Sequence, residues 1–146
     1  PLAFDDLYAA TTHYDGPLAT GENLFSADET RLLLRHGGLR ADRDWLQMDV
    51  SYSYGVTGYM EILGVMDSFG WTRSRAAPHA GHLLSLHVAS GLGLGGHEAA
   101  PDGRLAYGGF ADDTIFENGH AAPGGTPGIG IEAKPNLHAV FEELLA

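Results

Sequence analysis

The sequence predicts an α/β fold and, within that class, the C-terminal portion of a (β/α)8-type barrel. Two observations predict it. Short apolar runs alternate with stretches at helical spacing, the pattern of βα units on a parallel sheet. The runs lead into Glu22, Asp49, His79 and Glu98, each placed where a strand would hand over to a loop. A barrel gathers such strand ends at one mouth, whereas an open doubly wound sheet concentrates its chemistry at one or two switch points.

Taken in order, residues 2–14 carry a weak helical spacing and end near Asp15-Gly16. Residues 17–23 read as a short buried strand running into a loop. Ser26-Ala27-Asp28-Glu29 has the form of a capping box, and the helix it starts closes at Gly37-Gly38. Residues 45–50 form the second strand. Val56, Tyr59, Met60, Leu63 and Met66 then recur at helical spacing, predicting a helix over 55–69 closed by Gly70. A third strand is expected over 74–79 and a helix over 82–90. Gly91 to Gly96 makes a glycine-rich approach to a fourth short strand at His97-Glu98. The ionisable positions are 27, 30 and 19 residues apart, so the last connecting helix must be short.

The style changes after Pro101, which divides the chain into a barrel portion (1–100) and a tail (101–146). Tyr107 to Phe110 and Asp112 to His120 suggest short strands and turns, and Ala121 to Ile131 a Gly- and Pro-rich loop. A terminal helix from Pro135 sets Leu137, Val140, Phe141 and Leu144 on one face.

Composition narrows the function classes. Of 146 residues only eight are basic, and the net charge is −11. Phosphate binding needs clustered Lys and Arg, so nucleic acid is not an expected partner. The apolar runs fall far short of a membrane span. There is no Cys, which removes disulfides and thiolate metal sites. The first residue is Pro1 and no signal peptide is visible; the expectation is a processed or truncated chain in the cytoplasm.

Each candidate also has a plainer explanation. Glu22 equally fits a surface pair, Asp49 a turn cap, His79 a satisfied structural histidine and Glu98 a solvated strand end. His82 reads as a first-turn helix residue. His97 and Glu98 point to opposite sides of an extended chain, so one of the two faces the mouth. The joint placement carries the weight.

Thr20-Gly21-Glu22-Asn23, Gln47-Met48-Asp49, Pro78-His79-Ala80-Gly81-His82 and Gly91 to Glu98 together resemble the enolase superfamily, more narrowly its mandelate racemase group. Residues 42–47, 107–110 and 127–130 also look like that family, so the resemblance covers essentially the whole chain. It implies a modified TIM barrel with an α+β capping domain, against which the tail would pack. It implies an acid-sugar dehydratase using Mg²⁺, with D-tartrate as the expected substrate. Another dehydratase or a racemase of the group is the near alternative, and a non-catalytic relic or interaction module the distant one. The resemblance makes Glu22 the last of three carboxylate ligands to Mg²⁺ and Asp49 with His79 an acid/base dyad. It sets Glu98 and Asn23 against a small hydroxy-carboxylate substrate, in a homo-oligomer.

The sequence departs from the family's pattern in places. The Lys-x-Lys strand and the first two metal carboxylates have no counterpart, and the only lysine, Lys134, lies in the tail. His97 stands where Asn is expected and Ala80 where Gly is usual. The isolated chain is therefore expected to bind metal weakly and to be inactive.

Overall fold

In a computed structural model, residues 4–99, 109–110, 113–131 and 134–146 are described. The elements follow the expected βα alternation: α1 (Phe4–His13), β1 (Ala19–Thr20), α2 (Ala27–His36), β2 (Trp45–Leu46), α3 (Gly55–Ser68), a 3-10 turn (Arg73–Arg75) and α4 (Leu83–Leu92). A hairpin of β3 (Ile115–Glu117) and β4 (His120–Ala122) and a terminal helix α5 (Pro135–Leu145) follow.

β1 and β2 are parallel, with Ala19 opposite Trp45 and Thr20 opposite Leu46. Leu46 bridges Ala76 in the same sense. Gly95 N donates to Ala76 O at 3.1 Å and Glu98 N to Pro78 O at 3.4 Å, so the glycine-rich segment continues the order. Four consecutive segments lie side by side, as the barrel arrangement requires.

The strands are much shorter than the sequence suggests. Pro17 has no N–H to give a ladder, and Gly21 leaves the extended region at φ 119°. Beyond Leu46 the pairing continues only as single hydrogen bonds before Val50 enters a turn. The strand expected over 74–79 contracts to Ala76, because Arg73–Arg75 coils into a 3-10 turn. Arg75 holds that turn down: its guanidinium donates to the carbonyls of Asp42 and Arg43 and stacks on Trp45 at 5.4 Å. No regular strand forms at Glu98. Gly95 lies so close to Ser74 O that a Cβ there would sit 1.9 Å from it, so only glycine allows this approach.

Local signals at the helix ends hold. Ser26 Oγ accepts from Glu29 N at 3.2 Å. Glu29 reaches back to Phe25 N at 2.7 Å, one residue before the cap itself. Gly38 and Gly70 take the left-handed conformation just beyond α2 and α3, at φ 67° and 78°.

Alternation along β2 and its extension divides the layers. Leu46, Met48 and Val50 are buried against Tyr59, Ile62, Leu63 and Met66 of α3, with Leu33 of α2 in the same core. Trp45, Gln47 and Asp49 have the opposite parity. In the tail, Phe110 and Ala121 pack on Leu83 and Leu86 of α4. On α5 only Leu137 of the apolar face is buried, while Val140, Phe141 and Leu144 are exposed.

Candidate active site

Three neighbouring segments of the parallel order bring their ionisable groups together. Asp49 is 2% exposed, just past β2. Its Oδ1 accepts from Ser51 N at 2.6 Å and Tyr52 N at 3.3 Å, closing the turn that leads into α3. Its Oδ2 lies 3.4 Å from His79 Nδ1. On the far side of that ring, Nε2 is 4.0 Å from Glu98 Oε2. His79 therefore stands between two carboxylates. Asp49 is an acceptor, so Nδ1 carries the hydrogen and Nε2 is left facing the open side. At 3.4 Å the contact lies at the long end of the hydrogen-bond range.

Glu98 is held by two donors, Gln47 Nε2 and Ala80 N, each at 2.8 Å. Ala80 presents its N–H from a left-handed conformation, φ 77°, which costs a non-glycine residue about 1–2 kcal/mol. Gly81 follows at φ 56°, and the chain turns into α4 at His82. His97 points away from Glu98, as alternation requires. Its ring is 5.4 Å from that of Phe110, and both ring nitrogens are buried without a hydrogen bond. Burial pushes its pKa down to about 4; His82 adds to the shift and Glu98 opposes it. His97 lines a cavity of about 630 Å³ between α4 and the hairpin that includes none of Asp49, His79 or Glu98.

Glu22 and Asn23 occupy the turn after β1, where Leu24 N donates to Gly21 O at 3.0 Å. Among the described residues neither makes a polar contact with the Asp49, His79 and Glu98 group. Nor do three His, Asp or Glu side chains there lie close enough to share a metal ion. Mg²⁺ takes an octahedral oxygen set, and the described residues do not complete one. Glu22 is the single carboxylate offered at that strand end.

Two contributors were not picked out as site residues from the sequence. Gln47 is signalled by its parity with Asp49. His82 contacts Asp49 Oδ1 at 3.3 Å, and only its place directly before an apolar helix marks it.

Parallel segments that deliver a carboxylate, an imidazole and a second carboxylate to one end define a segment of an α/β barrel. Comparison with known proteins sharpens this: the chain belongs to the enolase C-terminal domain-like family, which it matches over residues 1–137, within the mandelate racemase group of the enolase superfamily. It is 28% identical over 136 residues to a D-galactonate dehydratase of Ralstonia nicotianae, covering 85% of this chain and 34% of that one. A crystal structure of L-talarate dehydratase from Polaromonas sp. JS666, complexed with Mg and L-glucarate, is 25% identical with TM-score 0.66, covering 87% and 32%. A mandelate racemase/muconate lactonizing enzyme from Jannaschia sp. CCS1 is 27% identical with TM-score 0.66, covering 89% and 33%. The chain spans about a third of the length of these relatives.

Proposed function

We propose that this chain carries the acid/base half of a Mg²⁺-dependent acid-sugar dehydratase, with D-tartrate as substrate. The observation that carries the proposal is His79 set between carboxylates, 3.4 Å from Asp49 and 4.0 Å from Glu98. The similarity to two sugar-acid dehydratases supports the reaction class.

The reaction removes the proton next to a carboxylate and expels the β-hydroxyl as water. The enol that remains rearranges to a 2-keto acid. In this proposal His79 is the acid that protonates the departing hydroxyl from Nε2. Asp49 fixes its tautomer and stabilises its charged form. Glu98 lies beside the substrate carboxylate, where like charges repel unless a proton is shared. Its two donors, Gln47 and Ala80 N, hold it in place there. Asn23 is a substrate contact and Glu22 this chain's ligand to Mg²⁺, which when bound neutralises charge developing on the substrate carboxylate. The base that takes the α-proton is a lysine supplied from outside these 146 residues. Residues 101–146 are the tail, and the exposed Val140, Phe141 and Leu144 face of α5 is where it meets a capping domain.

The test offers D-tartrate, L-talarate and D-galactonate, with Mg²⁺, to the protein encoded by the full reading frame and measures 2-keto acid. D-tartrate should be turned over, and His79→Asn should lower the rate at least about 100-fold. No turnover of D-tartrate would overturn the substrate assignment, and no product from any of the three, or a fully active His79→Asn variant, would overturn the reaction class. Turnover by the isolated 146-residue chain would instead show that no outside lysine is needed. A non-catalytic module is the second reading, favoured by the lack of a three-ligand metal group among the described residues. A full-length protein that binds no Mg²⁺ would select it.

A further inference from the structure

Asp49 has a second imidazole on its other oxygen. His82 Nε2 is 3.3 Å from Asp49 Oδ1, while His79 takes Oδ2. His82 is also the N-cap of α4: its Nδ1 accepts from Ser85 N at 3.2 Å. A backbone amide is always a donor and an ionised carboxylate always an acceptor. With Ser85 N on one nitrogen and Asp49 on the other, only one neutral tautomer satisfies both, the one with hydrogen on Nε2.

The hydroxyls of Ser51 and Ser85 lie 3.1 Å and 2.9 Å from the same Nε2, and that of Ser85 is also 3.2 Å from Nδ1. Both can donate or accept, so they adjust to the tautomer and do not set it. The charged neighbours come from three directions. Asp49 arrives from the turn after β2, His97 from the glycine-rich segment, and Glu98 lies beyond His79. An imidazolium at the start of α4 would oppose the helix dipole.

We propose that His82 is a positioning residue for the dyad: the N-cap hydrogen bond of α4 locks it as the Nε2–H tautomer, and that N–H joins Ser51 N and Tyr52 N on Asp49 Oδ1, fixing the carboxylate so that Oδ2 is left to His79. The start of a helix thereby shares, with the turn after β2, in orienting the group that sets the imidazole of His79. The proposal rests on the dehydratase assignment only for its kinetic consequence.

The test is long-range proton–nitrogen NMR on the ¹⁵N-histidine-labelled 146-residue chain without substrate. His82 should show a fixed Nε2–H tautomer and His79 a fixed Nδ1–H tautomer. His82→Asn keeps a good N-cap and removes the contact with Asp49. In that variant His79 should lose its single tautomer. In the full-length enzyme kcat should fall about 10-fold with KM little changed. Ser85→Ala keeps the backbone N–H, so His82 should keep its tautomer. A His82 hydrogen on Nδ1, an averaged tautomer, or an unaltered His79 in His82→Asn would overturn the proposal, as would a changed His82 tautomer in Ser85→Ala. The NMR readout needs no turnover, so an inactive enzyme with the expected tautomers would count against the dehydratase assignment alone.

Discussion

Two buried aspartates five residues apart flank β2, and they are used in opposite ways. Asp44 precedes the strand and is completely buried. Its Oδ1 accepts from Leu18 N at 2.9 Å and Arg40 Nη2 at 2.8 Å, and its Oδ2 from Arg40 N at 2.7 Å and Nε at 3.0 Å. Arg40 also donates to the carbonyls of Tyr14 at 2.9 Å and Gly16 at 2.8 Å, tying the end of α1 to the entry of β1. Every contact is internal. Asp49 follows the strand, is equally buried, and spends its oxygens on a turn and two histidines that lead to the open side. In a barrel the N-terminal ends of the strands hold the fold and the C-terminal ends carry the chemistry. Here one strand has a closed clamp at one end and an open group of ionisable side chains at the other.

The largest expected effect comes from breaking the first of these. Asp44→Ala leaves the N–H groups of Leu18 and Arg40 without their acceptor and should cost about 2–3 kcal/mol in urea unfolding. A loss under about 1 kcal/mol would mean that the two aspartates do not differ in kind. Asp49→Asn should do the reverse. The amide oxygen can still accept from Ser51 and Tyr52, so stability should change by about 1 kcal/mol. In the proposed full-length enzyme, activity should drop about 100-fold or more.

Acid sharpens the contrast. Burial opposes ionisation of Asp44, but the hydrogen bonds of Arg40 and the N–H groups of Leu18 and Arg40 outweigh it and hold the carboxyl below its usual range. The folded value is below the unfolded one. Asp44 therefore stabilises the chain above the unfolded value of about 3.9, and loses this as pH falls through the folded value. His97 acts earlier. Its folded pKa of about 4 lies below the ordinary 6.5, so the unfolded chain takes up a proton first and stability falls as pH drops from about 6.5 toward 4. Denaturation between those pH values should show a shallower slope in His97→Leu; an unchanged slope would exclude His97 as the cause.

The smallest effect concerns strain at the rim. Ala80→Gly should relieve the left-handed backbone and raise stability by about 0.5–1 kcal/mol, net of glycine's greater freedom when unfolded. A thermal melt that moves down would show that the alanine methyl has a packing role.

Much of this was legible in the sequence because it depends on period and parity. The alternation of Leu46, Met48 and Val50 with Gln47 and Asp49 fixes which side faces α3. The common placement of Asp49, His79 and Glu98 then points to their meeting. The Arg40–Asp44 clamp was not legible, since a charged pair across a turn looks solvated until its burial is known. Nor was the double duty of His82, because an imidazole that caps a helix and also bonds a carboxylate is defined by tertiary contact. The strands are shorter than the apolar runs for a related reason. An apolar run records burial, but regular pairing also needs partners on both edges, and Gly21 and the Arg73–Arg75 turn end it early.

The parity of β2 also sets what the strand can tolerate in length. Inserting or deleting one residue between Asp44 and Asp49 would exchange the two faces. Gln47 and Asp49 would turn into the layer beneath α3, and Met48 would arrive at the mouth. Residues in the loops on either side can be gained or lost without that inversion. The segment from 45 to 49 therefore works as a ruler, and its length in residues is under tighter constraint than the identity of most side chains along it.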